Sequence, residues 1–254
     1  MDLKVLGCHG GETPKHRTTS FLVDDRLAID AGAITGTLSL EEQRKIEAVV
    51  VSHAHMDHVR DLATIADNRC QQGGPTLTIA GTPATLAALR KHFFNDFLWP
   101  DFSKIDTDLG PTIRFQEIAP EKKSEVGGLE VTPVLVSHTI ETAGFIVRSG
   151  DKSLGYSGDT GPTDRLWEVL AEREDLMALL MEVSFPNDHS ELAHVSGHHT
   201  PKTLEAELDK LDGREIPVLL YHIKPVFQSP VERELAKIKH DNLNILQLDD
   251  HFLF

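Results

Sequence analysis

Cysteine is scarce: of 254 residues, only Cys8 and Cys70 carry a thiol. Two cysteines so far apart form neither a CxxC motif nor a disulfide framework. That excludes a small disulfide-stapled secreted fold and fits a reducing cytoplasm. Both read as half-buried structural thiols. No apolar run is long enough to cross a bilayer, and the opening Met1-Asp2-Leu3-Lys4-Val5-Leu6-Gly7 lacks the basic and apolar regions of a secretory signal. The expected location is therefore cytoplasmic, with no membrane partner. Positive charge is also in short supply. Lys and Arg number 25 against 40 Asp and Glu, a net charge of −15. The basic residues form no cluster, and Lys122-Lys123 sits among Glu121 and Glu125. Such a surface repels polyanions, so long nucleic acid is an unfavourable partner. A small anion is less affected, because bound cations dominate the field at their own site. Linkers, repeats and low-complexity runs are absent too. With 40% hydrophobic and 26% charged residues, the chain reads as one domain over residues 1–254 with a full core.

Against these absences stands one dense stretch, His53-Ala54-His55-Met56-Asp57-His58. Val49-Val50-Val51 precede it, and Leu62 and Ile65 follow at helical spacing. The pattern predicts a buried strand, a loop and then a helix. Imidazole nitrogens and a carboxylate suit Zn²⁺ or a related divalent metal. So short a segment cannot wrap one ion from every side, so two neighbouring ions sharing the groups are expected. A two-metal site serves to hold a hydroxide nucleophile and stabilise an in-line displacement.

The remaining pattern alternates strands and helices. Ser20–Val23 and Leu27–Asp30 read as a hairpin turned at Asp24-Asp25. Asp30, beyond it, either holds a ligand histidine from beneath or merely stabilises a turn. Ser39-Leu40-Glu41-Glu42 and Ser229-Pro230-Val231-Glu232 read as capping boxes, and Thr82-Pro83 and Thr200-Pro201 as helix starts, the latter helix reaching about Leu211. The helix after the histidine cluster is expected over about 59–68, and Ile245–Leu248 is expected to close the chain as a strand. Phe93 to Phe102 carries five aromatics without a clean period. It forms either a wall on which a base stacks or a core plug or dimer contact. His9, His16, His92, His189, His194, His240 and His251 read as surface or loop residues, with His189 and His194 as candidates for a pocket mouth.

Further ligand candidates follow predicted strands: His138 after Val134–Ser137, Asp159 in Ser157-Gly158-Asp159-Thr160, and His222 after Leu219–Tyr221. Such strand ends are where α/β proteins build sites. Together with the cluster they complete two sets. One ion takes His53, His55 and His138, the other Asp57, His58 and His222, and Asp159 bridges them.

In this order, HxHxDH, a histidine, SGDT and a last histidine resemble the metallo-β-lactamase superfamily across nearly the whole chain. The resemblance implies an α/β fold, an αββα sandwich of two mixed sheets with helices outside. Met181-Glu182-Val183-Ser184-Phe185 and Gly197-His198-His199-Thr200 are similar to the Glu and His-x-Thr motifs of its phosphodiesterase branch, shared with tRNA 3′-end processing endonucleases. His199 stands where that branch often has Leu. Carried over, Glu182 supports His198, and His198 is a general acid or donor to a phosphate oxygen. Gly10-Gly11, Thr19-Ser20-Phe21-Leu22 and the stretch His92 to Phe102 resemble the class II cyclic-nucleotide phosphodiesterases, the last through H-x-F-N-x-x-x-W-P-x-F.

This resemblance implies a phosphodiesterase that converts 3′,5′-cyclic nucleotides to 5′-monophosphates through a hydroxide shared by two divalent ions. Zn²⁺ is expected first, with Mn²⁺ or Fe²⁺ as alternatives. Asp57, Glu182 and His198 would be catalytic, with the base against Asn95, Phe97 and Trp99, in a homodimer. The competing readings are a tRNA-processing nuclease, which needs a basic docking surface, a lactone or thioester hydrolase, which needs no Glu182–His198 pair, and a non-catalytic metal sensor.

Overall fold

Ala48-Val49-Val50-Val51 shows how the layers arise. The three β-branched valines favour a strand, and with both faces apolar the strand must be covered on both sides. Ala48 and Val50 join a core with Leu27, Ile29, Phe145 and Tyr156, whereas Val49 and Val51 join one with Leu62, Ile65, Leu86 and Leu89. The period of two thus sends alternate side chains between the sheets and under the helices.

The computed structural model describes residues 1–211 and 213–254. The first part of the chain runs through β1 (Asp2–Gly7), β2 (Ser20–Val23), β3 (Leu27–Ile29), α1 (Leu40–Lys45), β4 (Ala48–Val51), α2 (Met56–Val59), α3 (Asp61–Gln72), β5 (Leu77–Gly81), α4 (Pro83–His92), the short pair β6 (Asp106–Thr107) and β7 (Gly110–Pro111), and β8 (Ile113–Glu117). Then come β9 (Ser124–Val126), β10 (Leu129–Val136), β11 (Thr142–Ser149), β12 (Lys152–Tyr156), α5 (Arg165–Ala171), β13 (Leu176–Glu182), α6 (Ser190–Ser196), α7 (Pro201–Leu208), β14 (Val218–Tyr221), α8 (Gln228–Leu235), β15 (Leu243–Ile245) and β16 (His251–Leu253).

Two seven-stranded sheets result, ordered β16-β1-β2-β3-β4-β5-β8 and β15-β14-β13-β12-β11-β10-β9. Each is mixed. In the first, β16 to β3 pair antiparallel and β3 to β8 parallel. In the second, β15 to β12 pair parallel and β12 to β9 antiparallel. The core between them is closed by Phe21, Val50, Phe145, Tyr156, Leu180 and Tyr221. Helices α3 and α4 cover the outer face of the first sheet, and α5, α7 and α8 that of the second. This is the expected αββα layering.

Most predicted starts and stops coincide with the structure. Ser39 caps α1 in a capping box with Glu42, and Thr82 caps α4 with Pro83 in its first turn. Asp24 and Asp25 turn the β2–β3 hairpin at positive φ, 50° and 57°, as the tight turn closed by the Arg26 amide on the Val23 carbonyl demands.

Four expectations are corrected. The Ser229 capping box does not form. A 3₁₀ turn over Pro225–Phe227 already winds the chain, so α8 begins at Gln228 and Ser229 lies inside it. The helix expected to reach Leu211 leaves α geometry after Leu208 and ends in a 3₁₀ turn. The helix expected over about 59–68 runs as α3 from Asp61 to Gln72, and the expected loop before it contains a further single turn, α2. The closing strand ends at Ile245. The chain then turns at Asp249, φ 68°, and crosses to the other sheet, where β16 pairs with β1.

Candidate metal centre

The site lies in the seam between the sheets, at the ends of β4, β10, β12, β13 and β14. From β4 the chain runs through Ser52 and His53 into α2, with His55 at its N-cap and Asp57 and His58 in its single turn. β10 delivers His138, the tight turn after β12 delivers Asp159, with Gly158 at φ 64°, and β14 delivers His222. Across the seam, the Ala143 amide donates to the Ser52 carbonyl at 3.1 Å and ties the two sheets beside the cluster.

Donor atoms converge in two groups, His53, His55 and His138, and Asp57, His58, Asp159 and His222. In the first, His55 Nδ1 lies 3.0 Å from His53 Nε2 and 3.2 Å from His138 Nε2. In the second, Asp159 Oδ2 lies 3.2 Å from both His58 Nε2 and His222 Nε2, and Asp57 Oδ2 lies 3.4 Å from His222 Nε2. Asp159 Oδ2 is also 3.8 Å from His53 Nε2, so this carboxylate faces both groups. Ligands about 2.1 Å from a tetrahedral ion lie roughly 3.4 Å from one another, which is the spacing seen. His58 Nε2 and Asp159 Oδ1 are buried without a hydrogen-bond partner among the described residues. Orphaned polar atoms so placed are costly unless something absent from the polypeptide completes them. The nitrogen and carboxylate donor set fits divalent metals of the zinc, manganese and iron kind.

The imidazoles are aimed from behind. Asp30, fully buried at φ 57°, accepts from His58 Nδ1 at 2.7 Å, from the Ser52 amide at 2.8 Å, from the Ser52 hydroxyl at 2.7 Å and from the Tyr156 hydroxyl at 2.6 Å. Of its two sequence readings, holding a ligand histidine is the one the structure supports. Ser52 Oγ in turn accepts from His53 Nδ1 at 2.9 Å, and His138 Nδ1 donates to the Gly197 carbonyl at 2.9 Å. Each contact fixes the proton on the outer nitrogen and turns the other toward the centre. Gly197 is required there twice over. Its φ is 65°, and a Cβ would come within 3.0 Å of His138 Nδ1.

Charge follows geometry. Burial pushes His53, His55 and His138 below the ordinary imidazole value, which keeps them neutral and ready to ligate. Burial opposes charge on His58 as well, but Asp159 and Asp30 on its two sides raise it well above that value. Burial works against Asp159 too, and the imidazoles of His222 and His58 outweigh it and hold the carboxyl well below the usual range.

Beside this centre, Glu182 Oε1 lies 3.3 Å from His198 Nδ1 and accepts the His199 amide at 2.8 Å. His198 is raised above its ordinary value, because Glu182 overcomes the effect of burial. Its ring stands 5.0 Å from that of His138 and 5.1 Å from that of His222. The short α6 places it: Gly197 terminates this helix in the left-handed conformation and hands the chain to His198. Lys224, on the other side, holds its ammonium 5.3 Å from the Phe185 ring centre and 3.4 Å from the Gly10 carbonyl, with no carboxylate partner among the described residues.

The structure therefore brings His53, His55, Asp57, His58, His138, Asp159, Glu182, His198 and His222 together. The proposed base-stacking residues are differently employed. The Asn95 side chain caps its own loop, accepting the Phe97 and Leu98 amides and donating to the Lys91 carbonyl. The Trp99 indole donates to the Ala63 carbonyl and packs on the outer core. Only Phe97, 96% exposed, keeps a free face. His9, read as a surface or loop residue, lies in the connection after β1 and is buried there by strand-like contacts with Thr18 and Ile223. Ser52, Tyr156, Ser184 and Gly197 escaped sequence reading. Their signals were of adjacency alone: Ser52 directly before His53, Tyr156 three residues before Asp159, Ser184 two residues after Glu182 and Gly197 directly before His198.

Comparison with known proteins fits this architecture. A beta-lactamase superfamily domain is recognised over residues 26–223. The chain is 28% identical to a protein of Yersinia pestis named probable 3′,5′-cyclic-nucleotide phosphodiesterase, over 90% of this chain and 79% of that one. It is 24% identical to ribonuclease Z of Bacillus subtilis (strain 168), over 93% and 92%. Unliganded yeast PDE1 shares the fold with a TM-score of 0.81 over 98% of each chain, at 20% identity. With the family's domain covering most of its length and the family's fold around it, the chain belongs to the metallo-β-lactamase superfamily.

Proposed function

We propose that this chain is a dinuclear metal phosphodiesterase that opens 3′,5′-cyclic nucleotides to nucleoside 5′-monophosphates. The observation that carries this reading is the buried Glu182–His198 pair beside the metal-binding groups. Expelling an alkoxide from phosphorus calls for a proton donor, and this pair is placed to supply one, whereas the thiolate of a thioester leaves without such help. The Yersinia pestis relative's name supports the substrate class, and the net charge of −15 favours a small anion over a polynucleotide.

When bound, two divalent ions supply an activated water nucleophile and positive charge against the phosphoryl oxygens. His53, His55 and His138 would hold one, Asp57, His58 and His222 the other, with Asp159 between them, and Zn²⁺ is the first candidate. The protein's own part is positional. Glu182 fixes the His198 proton on Nδ1 and sustains the charged ring, so that Nε2 can protonate the departing 3′-oxygen as the water oxygen bonds to phosphorus. Lys224 adds an ammonium at the same edge, available to a phosphoryl oxygen.

The test is incubation of metal-loaded protein with cAMP, cGMP, a 2′,3′-cyclic nucleotide, an aryl phosphodiester, a precursor tRNA, a lactone and a thioester, each with and without chelator. Chelator-sensitive 5′-AMP or 5′-GMP is expected. Cleavage of the precursor tRNA alone would establish the nuclease reading instead, and turnover of the lactone or thioester alone would end the phosphodiesterase reading.

A further inference from the structure

Two carboxylate–serine pairs stand behind the centre, one on each sheet. Asp30 meets His58 directly and reaches His53 through Ser52. Glu182 meets His198 directly, and Ser184 stands between Glu182 and His222, with its Oγ 2.9 Å from Glu182 Oε2 and 2.8 Å from His222 Nδ1. We propose that Ser184 is a positioning residue that relays the charge of Glu182 to His222, so that one carboxylate serves both the proton donor and a metal ligand.

The proton count supports the relay. A serine hydroxyl has one proton to give. Ser184 has two acceptors in reach, Glu182 Oε2 at 2.9 Å and the His222 carbonyl at 3.2 Å. The ionised and nearer acceptor takes it. The oxygen's lone pairs then face two ring nitrogens, His222 Nδ1 at 2.8 Å and His198 Nδ1 at 3.3 Å. His198 already has Glu182 Oε1, whereas His222 Nδ1 has no other partner among the described residues. His222 therefore donates from Nδ1 and presents the Nε2 lone pair toward Asp57 and Asp159, the tautomer a metal ligand needs.

The backbone adds to the demand. His222 sits at φ 70°, a conformation that a residue with a Cβ adopts only when its surroundings enforce it. Its amide donates to the Cys8 carbonyl at 2.7 Å, and a Cβ on Gly10 would meet its ring. These contacts hold the main chain and one edge of the ring, and Ser184 holds its proton. Ser184 is fully buried, so no solvent replaces it.

The effect is one-sided. His53 and His138 lean on Ser52 and the Gly197 carbonyl, not on Ser184. Ser184→Ala is thus expected to weaken one metal equivalent, that of the His222 group, by roughly 10- to 100-fold. The other equivalent should bind as in the parent, and Ser184→Thr, which keeps the hydroxyl, should restore the pair. The measurement is a titration of metal-free protein with Zn²⁺ against a chromophoric chelator. Both equivalents at parental affinity in Ser184→Ala would overturn the proposal. Should that variant not fold, histidine ¹⁵N spectra of the parent protein decide: a proton on His222 Nδ1 is required, and one on Nε2 overturns the relay. The inference rests on the proposed dinuclear centre for its ligand sets, but neither readout involves a substrate. A protein that cleaves no phosphodiester yet loses one equivalent in Ser184→Ala would remove the phosphodiesterase reading and leave the relay standing. Full phosphodiesterase activity with two unaltered equivalents would do the reverse.

Discussion

At the scale of single residues, two side chains that both face the centre do separable work. Asp57 is a donor in the second metal-binding group, held far below the usual carboxylate range by His222 and His58 against the opposing effect of burial. His198 leans on Glu182. Asp57→Ala is expected to lose bound metal and turnover together. His198→Ala should keep its metal while turnover falls by about 10² to 10⁴. Metal analysis of the dialysed variants beside their rates checks this, and full activity in His198→Ala would remove its role as proton donor. His9 makes a different prediction. Burial first, and then its neighbour His16, push it down to about 4. The unfolded chain therefore takes up this proton near pH 6.5, and the folded chain only near pH 4. Stability from this group is complete above pH 6.5 and is lost as pH falls toward 4. Denaturation of the parent and His9→Asn across that window should show the shallower slope in the variant.

Elements show what sequence reveals and what it hides. Thr82-Pro83 and the Ser39 capping box were legible because a cap is a local bargain between neighbouring residues. The histidine cluster was legible because strand, loop and one-turn helix are adjacent in sequence. Ser229-Pro230-Val231-Glu232 misled because the turn over Pro225–Phe227, fixed by the preceding strand, had already begun the winding. The roles of Ser184 and Tyr156 were illegible for a deeper reason: the partners that define them, His222 and Asp30, lie 38 and 126 residues away. Trp99 stayed open between core plug and base platform because aromatic composition does not say whether a ring meets ligand or core. Arg69 on α3 carries the same lesson. Its buried guanidinium donates to the carbonyls of Gln43, Arg44, Ile46 and Pro75, and so fastens α3 to the end of α1 and the approach to β5. Burial pushes it down to about 10. Arg69→Met keeps the stem and strands the carbonyls, at a cost of roughly 3 kcal/mol. A thermal melt should fall by roughly 5–10 °C, whereas an unchanged melt would mean that water satisfies those carbonyls.

For the whole molecule, the decisive fact is that the candidate metal-binding groups come from both sheets. In the proposed centre metal would bind only when the sandwich is closed, and so would stabilise the folded state by mass action. At a thousandfold excess over the dissociation constant the gain is about 4 kcal/mol, or roughly 10 °C in melting temperature for a chain of this size. Stripping the metal with a chelator should lower the melt by that order, and re-addition should restore it. An unchanged melt would show that the centre is already shaped by Asp30 and Glu182 and holds its ions weakly.

The two sheets are also nearly separate in sequence. β1 to β5 and β8 build the first and β9 to β15 the second, and among the described residues only β16 crosses back. The first stretch holds His53, His55, Asp57 and His58, the second His138, Asp159 and His222. Cutting the connection after β8 would give two fragments, neither of which owns a complete coordination set. The centre then becomes a reporter of complementation. Co-expressed halves should associate more tightly with zinc than with chelator, and the chain would become a split protein whose reassembly is read out by the metal it captures.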